Sequence, residues 1–438
     1  MSKQFRPWDV DQAWLLPPSV RELVPEDHLA HFVRETVRES LDLSAIFASY
    51  EGDDGQPPFH PAMMVALLLY AYSQGLYSSR RISQACENRV DFMAVTALEK
   101  PNFRTIALFR KRHLVALGGL FGQVLRLCSR AGLVRLGHVG LDGTKIRANA
   151  SKHKAMSYAR MQRIEPELAA EVEKWLRRAQ EEDSSEDAEH GEGRRGDELP
   201  EWTRNRQKRL EKLREAKQAL EEEARQAARA AEKRSEEQDT RTSKSRRPTG
   251  KPKGRAQRNF TDPESRIMKT GEGFQQCYNA QAAVDAEAQV IVAHGVTNVG
   301  NDVGELEPMV RQIRGNLGKQ ARELSADKGY SSEGNLEALK REKIRGYVAT
   351  GKQQHGRSSP TKGKTPPKGT HARAMWRRLK QGGWRSRYRL RKVTVEPVFG
   401  QVKSARGFRQ FLLRGLEKVR SEWALVCTAH NLLKLAKA

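Results

Sequence analysis

Acidic residues are missing where this chain is most basic. Residues 351–392 contain 14 Lys/Arg and no Asp or Glu, so these 42 residues carry more than half of the net charge of +25. A second stretch, 241–258, has eight Lys/Arg and again no acid. Cysteine is nearly as scarce. Cys86, Cys128, Cys277 and Cys427 lie far apart with no Cys-x-x-Cys pair, which argues against both a disulfide framework and a zinc knuckle. Long apolar runs are lacking too. The longest, 62–72, is about half of the roughly 20 residues that span a bilayer. Residues 1–10 have no apolar core followed by a small-residue cleavage site. Neither a membrane protein nor a secreted one is expected, but a reduced, cytoplasmic one.

What the chain does have is length and positive charge. Its 438 residues hold 79 Lys+Arg against 54 Asp+Glu, with a pI near 10.0. At roughly 100–200 residues per domain this suggests two or three domains. The charge makes a polyanion the leading partner. Within 351–392, Trp376, Trp384 and Tyr388 are interleaved with arginines, a composition suited to meeting phosphates and stacking on bases. The run 241–258, rich in Pro, Gly and Ser, reads equally well as a solvated linker. Residues 181–189 reverse the sign, with six acids in nine positions.

Residues 1–135 read as helical. Pro25-Glu26-Asp27 marks one helix start, and Pro61 opens the apolar run as a first-turn proline. Two short helices follow with basic faces, one carrying Arg80 and Arg81, the other Arg110 and Arg112. Such helices suit a helix-turn-helix-like DNA reader, and an ordinary helical domain with exposed arginines fits the pattern equally well. At Leu136 the pattern changes. The segment 138–146 alternates like a strand and carries Asp142 in its middle. Apolar positions at steps of three and four over 156–236 predict an inserted antiparallel helical hairpin. Strands at 273–285 and 289–297, a helix at 305–317, a strand at 323–327, a helix at 333–343 and a strand at 346–350 come next. Helices at 393–403 and 421–434 close the chain. That order predicts an α/β mixed sheet covered by helices, and its opening meander disfavours a doubly wound dinucleotide fold.

In so basic a chain, acids placed in apolar strands call for a reason, because a carboxylate is costly to bury unless it is paired or binds a metal. Asp142 and Asp327 have that setting, and Glu396 is a third candidate, with Lys392 and Lys403 at spacings of four and seven. Pro397 predicts that Glu396 stands at the very start of its helix. Asp285 and Asp302 show how common single acids are, the first before a turn, the second suited to capping the helix at Glu305.

Taken together, these segments resemble an insertion-sequence transposase of the DDE class. The block 61–112 is similar to the helical amino-terminal domain of one branch of that class. Leu141-Asp142-Gly143-Thr144 resembles the strand of the first aspartate, and Tyr278-Asn279-Ala280-Gln281 the second-strand region. Ala326-Asp327-Lys328-Gly329-Tyr330 resembles the strand of the second aspartate, and Val395-Glu396-Pro397-Val398-Phe399-Gly400 the helix of the glutamate. The class places a Tyr and an Arg before this Glu and a Lys after it. Lys403 has the expected offset, whereas Tyr388 and Arg391 lie one residue further away than usual, leaving Arg391 and Lys392 as rivals for one phosphate-binding role.

The resemblance implies an RNase H-like catalytic core with an all-α amino-terminal domain and the inserted hairpin. It divides the chain into 1–135 (DNA binding), 136–155 (first catalytic strand), 156–260 (hairpin and basic linker) and 261–438 (the rest of the core). It implies that Asp142, Asp327 and Glu396 hold two Mg²⁺ ions, with Mn²⁺ as an alternative. Tyr388, Arg391, Lys392, Lys403, Trp384 and the four amino-terminal arginines would meet DNA. The implied partners are double-stranded DNA, as element terminal inverted repeats and target, and a second copy of the chain in a homodimer associated with the nucleoid. The implied reaction is metal-dependent phosphoryl transfer that cuts element ends and joins them to target DNA. A non-catalytic DNA-binding regulator derived from such an enzyme is the alternative.

Overall fold

The structure, a computed structural model, describes residues 19–50, 58–190, 201–237, 249–351 and 367–438. The amino-terminal part is helical: α1 (Leu29–Glu39), α2 (Ser44–Phe47), α3 (Pro61–Ser73), α4 (Ser79–Asn88), α5 (Val90–Thr96), α6 (Phe103–Arg112) and α7 (Leu114–Arg130). Pro61 does open α3, where the imidazole of His60 caps the amide of Ala62. All but one residue of α3 is buried, because the helix is apolar all round and is enclosed by its neighbours.

Next come β1 (His138–Arg147), β2 (Ala155–Ser157), α8 (Tyr158–His190), α9 (Glu201–Glu237), β3 (Gln257–Asn259), β4 (Arg266–Thr270), β5 (Gly273–Asp285) and β6 (Ile291–Thr297). The chain then alternates through α10 (Leu306–Leu317), β7 (Glu323–Ala326), α11 (Glu333–Arg341) and β8 (Arg345–Val348). It ends in α12 (Thr370–Gly382), α13 (Leu390–Gly400) and α14 (Leu416–Leu435). The main sheet runs β4-β5-β1-β7-β8, with β6 also paired to β5. The pairs β1–β5, β4–β5 and β5–β6 are antiparallel, and β1–β7 and β7–β8 are parallel. This is the RNase H-like mixed sheet that the resemblance implies.

One hydrophobic core joins the sheet, α13, α14 and the amino-terminal helices. The α14 helix ties these layers together. Trp423 donates from Nε1 to the Gln281 carbonyl at 3.0 Å, and the Asn431 amide exchanges two hydrogen bonds of 2.8 Å with the backbone of Ile291. The inserted hairpin packs through Met161, Leu168, Val172, Leu210, Leu213 and Leu220, at the spacing the sequence predicts. The side chains of Trp175 and Ala179, counted in the same periodicity, lie outside the described residues.

Three features depart from the sequence reading. The short strands β2, β3 and β4 carry little apolar alternation and are held by backbone pairing and ion pairs, so pattern alone misses them. Part of the basic stretch 351–392 forms α12, which buries Met375 and Leu379. Residues 352–366 of that stretch lie outside the described residues. Lastly, Pro397 is not in a first turn but deep in α13. A proline there cannot donate to the carbonyl four residues back. That carbonyl, of Val393, instead accepts from Gln289 Nε2 at 3.1 Å, and the helix widens into a π turn at Gln401–Ala405.

Candidate active site

The register of the sheet brings the two aspartates together. Leu141 on β1 pairs with Ala326 on β7, so the next residue of each strand, Asp142 and Asp327, emerges at the same end of a parallel pair. Helix α13 crosses the same face of β1 at Gly140. A Cβ on that glycine would come within 3.2 Å of Thr394 and 3.5 Å of Val395, so a larger residue would lift α13 and the neighbouring Glu396 off the strand. The chain leading into α13 is anchored by Glu323 on β7, which pairs with Arg387 and with His138 at 3.2 Å.

Arg391 sits among these acids. It donates from one terminal nitrogen to Asp142 Oδ2 and from the other to Glu396 Oε1, the second bond at 2.9 Å. Tyr388, also buried, lies beside the guanidinium. Lys403 donates from Nζ to Thr144 Oγ1 at 3.0 Å, two residues along β1 from Asp142 and on the same face. Lys392 is exposed and makes none of these contacts. Of the two candidates left open by spacing, Arg391 is the one the fold carries to the carboxylates.

Burial governs the electrostatics. It pushes the Asp142 carboxyl up to about 7, with the charges of Asp327 and Asp302 acting in the same direction and Arg391 and the Gly143 amide opposing them. Asp327 is also raised, by burial first, although the Gly329 amide donates to its Oδ1 at 2.7 Å. Burial lowers the pKa of the Lys403 ammonium.

Asp302 has a different place from the one expected. It does not cap α10, whose N-terminal residue Glu305 makes no side-chain cap. Instead its Oδ1 accepts from Asn279 Nδ2 at 2.6 Å and Gln281 Nε2 at 2.8 Å, with Lys145 Nζ at 3.8 Å. Gln281 in turn accepts from the hydroxyl of Tyr330. Asn279 and Gln281 pair across from Lys145 and Gly143, so this network lies on the sheet face opposite Asp142 and backs the turn that carries Asp327. Gly143 makes room for it: a Cβ there would stand 2.5 Å from Gln281 Nε2 and 2.8 Å from Asp302 Oδ1. The sequence signal was present in two polar residues, Asn279 and Gln281, at alternate positions of the otherwise apolar stretch 277–284. Asp285, by contrast, does brace a turn, accepting from the amides of Glu287 and Leu136.

The amino-terminal arginines divide. Arg80, Arg81 and Arg112 are exposed, with Arg80 5.2 Å from the Phe103 ring centroid and Arg112 4.9 Å from that of Tyr50. Arg110 is buried and donates to the Tyr72 hydroxyl, the Tyr77 carbonyl and the Ser79 hydroxyl, which commits its guanidinium to the packing of α3, α4 and α6. Trp384 lies in the turn Gly383–Arg385, and its side chain is outside the described residues.

Among the described residues, no three acidic, histidine or cysteine side chains stand close enough to form a ready-made metal cage. Glu396 is 46% exposed and is held by Arg391. The chemistry of the donor set nonetheless fits a hard divalent cation, which takes oxygen ligands. The burial that makes Asp142 and Asp327 costly to ionise is relieved by positive charge, which Arg391 supplies here. Among the described residues no helix is long and apolar enough to cross a membrane.

Comparison with known families gives two matches. Residues 18–112 match a family described as "Transposase domain (DUF772)", and residues 352–436 match one described as "Transposase DDE domain". The second range contains Tyr388, Arg391, Glu396 and Lys403, whereas Asp142 and Asp327 fall outside both. No curated protein and no solved structure matches the chain.

Proposed function

For a chain that belongs to the insertion-sequence transposases of the DDE class, we propose that Asp142, Asp327 and Glu396 form the catalytic centre and that the protein cuts element ends and joins them to target DNA. The observation that carries this reading is the single guanidinium of Arg391 shared by Asp142 on β1 and Glu396 on α13, with Asp327 next to Asp142 in register. The three carboxylates would hold divalent ions, with Mg²⁺ the best suited to an all-oxygen set. Such ions, when bound, activate the attacking oxygen and stabilise the leaving oxygen of an in-line displacement at phosphorus.

The chain's own residues have separate tasks. Arg391 shields the carboxylates from one another before DNA arrives and then turns its fork to a phosphate, for which its bidentate geometry is suited. Lys403 offers a point charge to the same phosphate from the Thr144 side. Tyr388 packs beside Arg391 and fixes its approach. The turn at 327–330, backed by Gln281 and Asp302, keeps Asp327 level with Asp142. Hydrolysis at the element end leaves a 3′-hydroxyl, and that oxygen then attacks a target phosphodiester and displaces the target strand's own 3′-oxygen. Two ends must be brought together, which calls for two copies of the chain on DNA.

Binding assays test this reading. The DNA flanking the coding region, an unrelated duplex and a single-stranded RNA of equal length are compared at several salt concentrations. Selective binding of the flanking DNA is expected. Equal affinity for all three would reduce the protein to a general polyanion binder and remove the reading.

A further inference from the structure

The inserted hairpin carries a basic groove, and we propose that this groove is a second DNA-binding site, separate from the carboxylates, that grips the phosphate backbone of the duplex being cut. It rests on the transposase reading for the identity of the polyanion. The groove encloses about 630 Å³ where the start of α8 and the first turns of α9 meet β2 and the segment before it. Lys154, Arg160, Lys208, Arg209 and Lys212 line it together with His153, and among the described residues no acid does.

The charge pattern of the hairpin separates this site from ordinary surface polarity. Several cations further along the hairpin are neutralised: Lys217 and Arg214 pair with Glu165, and Arg225 with Glu222. The five that line the groove make no ion pair with any described residue. Lys208 and Lys212 stand one helical turn apart on the exposed side of α9, with Arg209 beside them. Five uncompensated cations around one concavity repel each other, and the arrangement is favourable only opposite negative charge. A phosphate backbone supplies that charge at regular spacing and needs no particular base sequence.

The groove is also held at a fixed place relative to the catalytic strand. Only six residues separate the end of β1 from Lys154. Glu223 on α9 accepts from Arg258 on β3 at 2.7 Å and from Arg266 on β4 at 2.9 and 3.0 Å, which ties the hairpin to the sheet that carries Asp142. The side chain of Asn259 adds a bond of 2.8 Å to the Ser151 carbonyl. DNA gripped in the groove is therefore presented to the carboxylates in one orientation.

The test compares the wild-type chain with the triple variant Lys208→Ala, Arg209→Ala, Lys212→Ala and with a control triple, Lys319→Ala, Lys340→Ala, Lys418→Ala. The control removes the same charge from exposed lysines elsewhere. Alanine preserves helix propensity at the α9 positions, and circular dichroism checks that both variants fold. Binding to a duplex is measured from about 50 to 200 mM salt. The groove variant is expected to lower the slope of log affinity against log salt by about 3, near one per lost phosphate contact. The loss should be the same for flanking DNA and unrelated duplex, and larger than in the control. An unchanged slope, or one equal to the control's, overturns the site while leaving the carboxylate reading intact. A changed oligomeric state with unchanged DNA binding overturns it as well, because the groove would then hold a second copy of the chain. Failure of the wild type to bind any duplex removes both proposals.

Discussion

Arg391 reaches Asp142 across 249 residues of sequence and places a cation against a buried carboxylate. Arg391 holds down the pKa of Asp142 that burial raises. Metal binding requires the deprotonated carboxylate. Replacing Arg391 with Ala therefore moves the pH at which Mn²⁺ stabilises the protein upward, by roughly 1–3 pH units. Lysine restores only part of the shift, because a point charge cannot bond both acids as the fork does. Thermal melts with and without Mn²⁺ across pH 5–9 measure this; an unchanged midpoint would show that Arg391 does not govern the site.

In the metal-free protein, Asp142 itself sets a pH dependence of stability. Its folded pKa, about 7, is above that of an exposed carboxyl, so the folded state binds the proton more tightly than the unfolded one does. Stability is fully present below about pH 4, falls as pH rises through 7, and then levels off. Asp142→Asn removes this dependence. In EDTA at pH 8 the variant should be more stable than wild type by on the order of 1–3 kcal/mol, with no gain at pH 4. Denaturant titration at the two pH values checks it.

Asp302 acts in the opposite sense to Arg391, since its charge raises both Asp142 and Asp327. Asp302→Asn keeps the side chain's shape and removes the charge. The pH midpoint for Mn²⁺ stabilisation should move down, the reverse of the Arg391→Ala shift. Strand cleavage should fall by about 10–100-fold, as when a supporting partner of a metal ligand is lost. Duplex affinity should stay unchanged, which separates positioning from DNA contact.

The sequence makes the three carboxylates legible because each stands out from its surroundings: Asp142 and Asp327 by interrupting apolar strands, Glu396 by its neighbouring cations. Spacing alone leaves Arg391 and Lys392 as equals; in the fold, α13 turns Arg391 toward Asp142 and Glu396 and leaves Lys392 exposed. Asp302 is opaque for a different reason. Its position depends on the amides of Asn279 and Gln281, which reach it only after β5 pairs with β1. The fold follows the same division. The strands β1 and β5–β8 and the hairpin announce themselves by period, whereas β4, with the sequence Arg-Ile-Met-Lys-Thr, gains its place from pairing with β5. The position of Pro397 inside α13 runs against a rule that holds for isolated helices, and Gln289 is what makes the exception tolerable.

That pairing of Gln289 with the Val393 carbonyl can be measured. Gln289→Ala leaves the carbonyl without its partner and should cost about 1 kcal/mol. Pro397→Ala restores a backbone donor, so in that background the cost of Gln289→Ala should shrink. A double-mutant cycle should give a coupling of at least about 0.5 kcal/mol. Strict additivity would mean that the side chain does not compensate the proline.

The most direct test of the catalytic assignment is strand cleavage of a duplex carrying the DNA that flanks the coding region, in Mg²⁺, by wild type and by Asp142→Ala, Asp327→Ala and Glu396→Ala. All four proteins should bind the duplex. Wild type should release a strand ending in a 3′-hydroxyl, and each variant should be slower by at least ~10²–10³-fold, the scale on which loss of a single transition-state stabiliser is felt. Wild-type cutting by any one of the three variants would contradict the account.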